Sequence, residues 1–192
     1  MTPDASKAAV SVRTLSTFQL TETEQLRIRA LLDAAFDDPK EPDEAFTDDD
    51  WLHAVGGTHV VAEMDGAIVG HAAVVERELH VAGRAVRAGY VEAVAVAPER
   101  HGLGIGTAVM EAVDAIIRGQ FELGALGTGA HHFYERLGWR SWTGPGSVRA
   151  PDGDRPTPDD DGFILWLPTR RTPPSVTGSE PLSCDWRPGD VW

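Results

Sequence analysis

Apolar residues recur at helical spacing in two long segments of the chain, which predicts two amphipathic helices. Before the first segment, Thr21 and Glu24 form the capping-box pattern that opens a helix. The predicted apolar side of this helix consists of five residues: Ile28, Leu31, Leu32, Ala35 and Phe36. The second helix follows a glycine-rich turn and has one apolar face: Val109, Met110, Val113, Ile116 and Ile117. Two shorter helices are predicted over residues 51–55, capped by Thr47 and Asp50, and over residues 130–137.

Strands are predicted where apolar and β-branched residues alternate or run together between turn signals. Residues 10–15 form the first strand, and Asp65-Gly66 and Ala82-Gly83 mark two hairpins that follow it. Residues 91–96 are the most β-like segment, residues 121–126 form a short strand, and residues 163–167 form the final one. Residues 168–192 lack periodicity. This order predicts an α/β (α+β) fold with antiparallel hairpins first and a strand–turn–helix–strand unit in the middle.

The composition narrows the classes of function. The 192 residues carry a net charge of −13, from 17 Lys and Arg against 30 Asp and Glu. Phosphates would be repelled, so neither nucleic acid nor an anionic membrane is an expected partner, whereas a cationic small molecule would be attracted. Cys184 is the one cysteine, which excludes an intramolecular disulfide and fits a reducing cytosol. Because no apolar leader or apolar run of about 18 residues is found, we expect a cytoplasmic protein.

The negative charge is concentrated in two segments. Residues 37–50 hold eight carboxylates and one lysine, and residues 152–161 hold five aspartates and one arginine. Two interpretations follow from this pattern: both segments are solvated acidic loops, or both line one cleft that binds a polyamine. Charge alone leaves the choice open.

A glycine-rich turn from His101 to Gly106 separates the strand at residues 91–96 from the second long helix. Glycines allow the backbone to approach a ligand closely, and free N–H groups at a helix start bind phosphate. The turn is not a dinucleotide-binding fingerprint, because Thr107 stands where the third glycine would be. It is not a P-loop either, since no Gly-Lys-Ser/Thr follows. Taken alone, the turn could be a plain connector.

Residues 91–96 and the run from Pro98 to Thr107 together resemble the acetyl-coenzyme-A site of the GNAT N-acetyltransferase superfamily. The run from Phe133 to Trp139 is similar to its second signature. The resemblance implies a GNAT fold, with a central mixed, mostly antiparallel sheet flanked by helices, and acetyl-CoA as co-substrate. It also implies ten coenzyme contacts: Val94, Ala95, Val96, His101, Gly102, Leu103, Gly104, Ile105, Gly106 and Thr107. His101 departs from the superfamily pattern, which usually has Arg or Gln at this position.

Three further runs, residues 89–96, 157–162 and 184–192, resemble aminoglycoside 2'-N-acetyltransferases. This resemblance implies an aminoglycoside acceptor, direct transfer within a ternary complex, and a homodimer. It implies that nine residues contact the acceptor: Glu44, Asp50, Glu92, Ala93, Gly127, Asp159, Asp160, Asp190 and Trp192. Ala45 stands where some relatives have an acid, which bears on the range of antibiotics that the chain accepts.

Three residues are candidates for the chemistry of acetyl transfer, which needs a neutral amine and a proton for the leaving thiolate. Glu92 interrupts a strand of Val and Ala, so its carboxylate needs a partner or a task. The resemblance implies that Glu92 removes a proton from the amine through water; alternatively, it points to solvent or pairs with an arginine. Tyr134 is implied to protonate the thiolate, the alternative being an aromatic core residue. Trp192 is implied to place its α-carboxylate against a substrate amine.

The predicted organisation is an acetyltransferase domain at residues 1–168 and, in the same domain, an arm at residues 169–192 that folds back to the substrate cleft. No metal site is predicted: His131 and Glu135 have the spacing of a ligand pair, but no third ligand cluster accompanies them. The expected function is 2'-N-acetylation of an aminoglycoside antibiotic, which confers resistance. Two alternatives stay open: acetylation of a different amine or of an aminoglycoside outside the deoxystreptamine group, and binding of a cationic antibiotic without turnover.

Overall fold

The computed structural model describes residues 9–37 and 45–192 of the chain. These residues contain four α-helices: α1 (Glu22–Ala35), α2 (Asp48–Ala54), α3 (Ile105–Gln120) and α4 (His131–Glu135). They also contain ten strands: β1 (Ser11–Ser16), β2 (Thr58–Met64), β3 (Ala67–Val81), β4 (Arg84–Val96), β5 (Leu123–Gly127), β6 (Arg140–Ser141), β7 (Gly146–Ala150), β8 (Gly153–Pro156), β9 (Ile164–Pro168) and β10 (Leu182–Asp185). All four predicted helices are confirmed.

The strands form one mixed sheet with the order β6-β9-β5-β4-β3-β10-β7-β8. Strands β1 and β2 extend the sheet from the first half of β3. Neighbouring strands are antiparallel except for two parallel pairs, β4 with β5 and β7 with β10. The predicted mixed, mostly antiparallel sheet is therefore confirmed, as are the hairpins at Asp65-Gly66 and Ala82-Gly83.

Strand β3 is long enough to have two neighbours on one edge. Its residues 67–74 pair with β2, and its residues 79–81 pair with β10. Strand β10 pairs on its other side with β7. Residues 182–185 thereby join the central strands to the β7–β8 hairpin.

The sequence pattern does not predict β7, β8 or β10, and the prediction that residues 163–167 form the final strand is wrong. All four residues of β8 are exposed, so this strand has no alternation of apolar and polar residues. Strand β10 buries Leu182 and Cys184 but has only four residues. A segment this short is not recognised from a period of two.

Helix α3 packs on the sheet where the parallel strands β4 and β5 meet. Gly89 and Gly124 lie opposite each other on these strands. A Cβ atom at either glycine would lie 3.0 Å from a side-chain carbon of Ile117. The absence of both side chains lets α3 approach the two strands closely, and four residues of its predicted apolar face are buried: Val109, Met110, Val113 and Ile117.

A second apolar core lies on the other face of the sheet. Successive residues of β9 alternate between the two cores, as the strand period requires: Leu165 belongs to the α3 side, and Trp166 belongs to the second cluster. The second cluster includes Trp142, Leu182 and Trp192. Residues from the irregular end of the chain therefore complete one of the two cores.

Both predicted capping boxes are present. The Thr21 hydroxyl accepts a hydrogen bond from the Glu24 N–H at 3.2 Å, and the Glu24 carboxylate accepts one from the Thr21 N–H at 2.8 Å. Thr47 and Asp50 repeat the arrangement with the same two distances. These contacts fix where α1 and α2 begin, and α2 borders the site described below.

Candidate active site

Strands β4 and β5 run side by side and then part. Residues 88–90 of β4 pair with residues 123–125 of β5, and from Val91 to Val96 the described partner of β4 is β3 alone. The backbone groups on the β5 side of this segment are therefore available to an extended ligand. Val94, Ala95 and Val96, three predicted coenzyme contacts, lie on the parted segment.

Strand β4 bulges within the parted segment. Ala93 has a φ of +53°, and the register against β3 shifts between His71 and Ala73. Ala93 and Val94 have no partner in this ladder, which is the arrangement of a β-bulge. The bulge lies directly after Glu92, so it controls the direction of the backbone on either side of the candidate base.

The glycine-rich turn leads from β4 into α3. Gly102 and Gly104 have φ values of +78° and +83°, in the left-handed region that favours glycine. Gly104 is the N-cap of α3, and no side chain caps this helix. The N–H groups at Ile105, Gly106 and Thr107 therefore lack the helical partners of later residues, and such a helix start binds anions.

Two side chains of the turn, His101 and Leu103, have different surroundings. The His101 ring nitrogen Nε2 lies 3.1 Å from the carbonyl oxygen of Val96, to which it donates a hydrogen bond. Leu103 is about half exposed. His101 thus ties the turn to the end of β4 through the protein's own backbone.

Glu92 forms a buried ion pair with Arg187. The Arg187 Nη1 lies 2.6 Å from the Glu92 Oε1, and the two side chains are 15% and 13% exposed. Burial raises the pKa of Glu92 above its ordinary value, against the opposing charges of Arg187 and Arg77. A carboxylate with a raised pKa is suited to accept a proton near neutral pH. The sequence left open whether Glu92 points to solvent or pairs with an arginine, and in the structure it pairs with Arg187.

Arg187 also organises residues 187–192, called the tail segment below. Its Nε donates to the carbonyl oxygen of Asp190 at 2.7 Å, and its Nη2 lies 3.4 Å from the carbonyl oxygen of Trp192. Arg77 of β3 donates to the carbonyl oxygen of Val191 at 2.9 Å. Two arginines therefore fold the tail segment against the parted strands.

Trp192 is buried between the ends of several elements. Its indole Nε1 donates to the Thr157 hydroxyl at 2.8 Å. A Cβ atom on Gly127, the last residue of β5, would lie 3.5 Å from the carbonyl carbon of Trp192 and 3.7 Å from the Tyr90 hydroxyl oxygen. Among the described residues, that hydroxyl has no hydrogen-bond partner although it is buried. Trp192, Gly127 and Tyr90 thus meet where β4 and β5 part.

Parts of both acidic segments meet at the tail segment. Asp160 lies near Asp190, and burial together with the Asp190 charge raises the pKa of Asp160. On the other side, a Cβ atom on Gly189 would lie 3.1 Å from the Cβ of Asp49 in α2. One acid of each segment, Asp49 and Asp160, therefore lies near Gly189 or Asp190.

The remaining predicted acceptor contacts have different surroundings. Asp159 is exposed in the short 3-10 helix Pro158–Asp160. One oxygen of Asp50 accepts both the N–H and the hydroxyl hydrogen of Thr47, so this carboxylate is partly engaged in capping α2. Glu44 lies outside the described residues.

Tyr134 lies on α4 and is almost fully buried. Its ring makes edge contacts with Phe133 and Trp139, at centroid distances of 4.9 and 6.2 Å. Burial raises the pKa of Tyr134 to about 12, so the hydroxyl is protonated at neutral pH. A protonated hydroxyl can donate to a leaving thiolate, and the packing fixes the direction of the ring.

Residues 9–37 and 45–192 contain no group of three or more His, Cys, Asp or Glu side chains that could hold a metal ion. Over the same residues, no helix has the length and apolar character needed to cross a bilayer.

Sequence reasoning did not single out four residues of the site: Arg187, Arg77, Tyr90 and Thr157. Tyr90, Thr157 and Arg187 lie in runs that carry the family resemblance, so a signal was present without a role attached to it. Arg77 lies in a predicted strand. The contacts of Arg77, Tyr90 and Thr157 with residues 187–192 depend on chain segments far apart in sequence.

Comparison with known proteins agrees with the fold. The family model described as "Acetyltransferase (GNAT) domain" matches residues 17–141. An aminoglycoside 2'-N-acetyltransferase from Mycolicibacterium fortuitum is 45% identical over 150 residues, which are 77% of this chain and 77% of that protein.

Solved GNAT structures are similar in fold. An N-acetyltransferase from Escherichia coli in complex with CoA superposes with a TM-score of 0.62 at 15% identity, over 92% of this chain and 90% of that one. A GNAT acetyltransferase from Brucella melitensis in complex with acetyl-CoA superposes with a TM-score of 0.52 at 25% identity, over 69% of this chain and 84% of that one. A relative from Kribbella flavida gives 0.55 at 22% identity over 71% of this chain, which spans only 34% of that longer protein. The resemblance read from the sequence is confirmed, and the chain belongs to the GNAT family of acetyltransferases.

Proposed function

We propose that the chain transfers the acetyl group of acetyl-CoA to the 2'-amine of an aminoglycoside. The observation that carries this proposal is the position of Glu92, a buried carboxylate of raised pKa at the parting of β4 and β5, beside the tail segment. The identity of 45% to an aminoglycoside 2'-N-acetyltransferase supports the choice of acceptor.

The parted strands and the turn fit the chemical features of acetyl-CoA. The β5-facing edge of β4 from Val91 to Val96 offers backbone groups to the amides of an extended arm, in the manner of a strand ladder. The uncapped start of α3, after Gly104, offers N–H groups to a pyrophosphate. When bound there, acetyl-CoA supplies the acetyl group and a thiolate leaving group.

The protein's residues then supply orientation and proton transfer. We assign to Glu92 the removal of a proton from the acceptor amine, through water, with relay to solvent because an ammonium group has a much higher pKa than a carboxylate. The Val94 amide is assigned to polarise the thioester carbonyl. Tyr134 is assigned to protonate the thiolate, since burial keeps its hydroxyl protonated.

The acceptor side is suited to a molecule with several ammonium groups. Asp160 and Asp190 lie close enough for the charge of Asp190 to raise the pKa of Asp160, and Asp49 borders Gly189 of the tail segment. Charge-assisted hydrogen bonds to such carboxylates contribute about 1.5–3 kcal/mol each. A polycationic acceptor would relieve the repulsion between these acids. A cytoplasmic location, a homodimer and a role in antibiotic resistance stay predictions.

The proposal is tested by following thiol release from acetyl-CoA with pairs of aminoglycosides that carry either an amine or a hydroxyl at the 2' position. We expect turnover only with the 2'-amino member of each pair. Glu92→Gln keeps the shape of the side chain, removes the base, and is expected to lower kcat by about 10²–10⁴-fold.

Three results would contradict parts of the proposal. Turnover with the 2'-hydroxyl members would show a different regiochemistry. Turnover only with other amines would replace the acceptor class. Tight aminoglycoside binding without thiol release would show a binding protein rather than an enzyme.

A further inference from the structure

Two buried histidines lie on neighbouring strands of the sheet, β2 and β3. His59 on β2 and His71 on β3 are both fully buried and are the buried polar side chains of the described core. Their rings are hydrogen-bonded, with His59 Nδ1 2.9 Å from His71 Nε2. The hydrogen bonds of the two rings in the described residues involve neither the glycine-rich turn nor the tail segment, and the chemistry assigned above leaves the pair unexplained.

The pair belongs to a chain of hydrogen bonds that ends at the β4 bulge. His71 Nδ1 lies 2.7 Å from the carbonyl oxygen of Ala93, and His59 Nε2 lies 2.8 Å from the Thr17 hydroxyl. The Thr17 oxygen in turn accepts the Gly56 N–H at 2.9 Å. The chain therefore crosses from the loop before β2 to the residue that follows Glu92.

With both rings neutral, donor and acceptor rules fix the direction of the bonds between the rings and the Ala93 carbonyl. A carbonyl oxygen only accepts, so His71 Nδ1 carries the proton and His71 Nε2 accepts from His59 Nδ1. His59 Nε2 is then an acceptor for the Thr17 hydroxyl, whose oxygen also lies 3.3 Å from the Gly57 carbonyl oxygen. Burial lowers the pKa of His59 to about 4 and that of His71 to about 3, so both rings are neutral at pH 7, as this arrangement requires.

The accepting carbonyl lies at a backbone position that needs support. Ala93 has a φ of +53°, a conformation that residues other than glycine rarely adopt. It has no partner in the ladder with β3, and the His71 ring donates to its carbonyl where the ladder is interrupted. The ring of Trp51 packs against both imidazoles, at centroid distances of 5.8 and 6.4 Å, which holds their planes in place.

We propose that His71, oriented by His59, is a positioning residue for acetyl transfer: its Nδ1–H holds the Ala93 carbonyl and thereby sets the bulge that directs Glu92 and the Val94 amide. This inference rests on the proposed function of Glu92 and Val94. Both histidines are fully buried, so in this proposal they affect the rate through the backbone at residues 92–94. A displacement of about 1 Å at a reacting group lowers the rate by about 10²-fold.

The first test compares three substitutions of His71. The amide nitrogen of Asn lies at the δ position and can replace the Nδ1–H donor, whereas the amide of Gln extends to the ε position, and Leu has no donor. We expect His71→Leu and His71→Gln to lower kcat by about 10²-fold. We expect His71→Asn to lower kcat by less than about tenfold, and KM for acetyl-CoA to stay within about threefold in all three. A purely structural role would make Asn no better than Leu at equal melting temperature, and that result would overturn the proposal.

The second test repeats His71→Leu in the Ala93→Gly background. Glycine adopts a positive φ without support, so the loss of kcat caused by His71→Leu is expected to be at least about fivefold smaller than in the parent. Equal losses in the two backgrounds would contradict the proposal. His80→Leu is the matched control, because His80 lies on the same strand and its ring contacts Glu78 rather than β4. This control is expected to keep kcat within about twofold, as a substitution remote from the site should.

A third measurement does not depend on activity. Nitrogen NMR of the unliganded chain reports which ring nitrogen carries the proton, and we expect Nδ1–H for both His59 and His71. The opposite tautomer of His71 would overturn the positioning role even if the enzyme is active. Absence of turnover with every acceptor would overturn the proposed function, while the NMR result would still decide whether His71 holds Ala93.

Discussion

The Arg187 guanidinium lies 2.6 Å from the Glu92 carboxylate, although the two residues are 95 positions apart in the sequence. The same guanidinium contacts the carbonyl oxygens of Asp190 and Trp192. A single side chain therefore links the candidate base to the tail segment. Charge and shape at the acceptor side depend on this link.

Replacement of Arg187 by Gln is expected to move the acid limb of the kcat/KM profile to higher pH. Arg187 lowers the pKa of Glu92 against the effect of burial, so its removal raises that pKa further. The carboxylate form is the active base, and more alkaline conditions are then needed to produce it. The pH dependence of kcat/KM with a saturating acetyl donor measures this shift.

The same variant is expected to lose stability mainly at high pH. A buried carboxylate without its partner costs about 3–5 kcal/mol when charged, but Glu92 escapes this cost by binding a proton. Since the folded-state pKa lies above the unfolded value, the penalty grows as pH rises towards the folded-state pKa. Melting temperatures at pH 6 and pH 8 test the sign. Arg149→Gln, which breaks an ion pair with Asp185, should not move the acid limb.

Tyr134→Phe is expected to lower kcat by about 10²-fold with little change in KM for acetyl-CoA, because a general acid is lost while the ring still packs. A thioester donor whose thiol has a lower pKa should reduce the loss, since its leaving group needs the proton less. The parent enzyme should show no decline from Tyr134 ionisation below about pH 10, because the pKa of this hydroxyl is raised to about 12. An equal loss with both donors would remove Tyr134 from the role of acid.

Gly104→Ala is expected to raise KM for acetyl-CoA by about tenfold and to destabilise the fold by about 1 kcal/mol, because Gly104 has a φ of +83° at the start of α3. Gly119→Ala is the matched control in the same helix. Gly119 has open space around its Cα, so this change should stabilise the fold by about 0.5–1 kcal/mol and leave KM unchanged. Equal KM values for the two variants would argue against anion binding by the turn.

Asp160→Asn is expected to raise KM for the aminoglycoside by about tenfold, as loss of one charge-assisted hydrogen bond would. The difference in KM between the parent and the variant should shrink as pH falls, because Asp160 of the parent then becomes protonated. Burial and the charge of Asp190 raise the pKa of Asp160, so the difference should shrink at a higher pH than it would for an ordinary aspartate. Asp154→Asn removes the same charge from exposed strand β8 and tests whether the long-range field alone explains the effect. Similar KM values in the two variants would favour the field over a direct contact.

The sequence predicts β4, the glycine-rich turn and α3, called the coenzyme half below, because the sequence signals for these elements are local. The capping box at Thr21, the hairpin at Asp65-Gly66 and the turn before α3 each depend on residues within a few positions of one another. The bulge at Ala93 has no such signal, because an alanine in the sequence does not indicate a positive φ. It is held by contacts with β3 that only the folded sheet provides.

The arrangement around the proposed acceptor site, formed by Glu92, the acidic segments and the tail segment, is harder to predict from the sequence. Glu92 stands out because a carboxylate interrupts an apolar strand, but nothing local identifies Arg187 as its partner. Likewise, the acids of residues 152–161 and of α2 are recognisable as charged segments, yet their meeting at Gly189 and Asp190 depends on the path of the tail segment. Interactions across long separations in sequence decide this arrangement.

The position of β10 between β3 and β7 has a consequence for synthesis on the ribosome. Strand β10 consists of residues 182–185, whereas β4, the glycine turn and α3 all lie within residues 84–120. A nascent chain therefore contains the whole coenzyme half well before the strand that joins the β7–β8 hairpin to the sheet. Until β10 emerges, the last three residues of β3 present an open edge that can pair with strands of other chains.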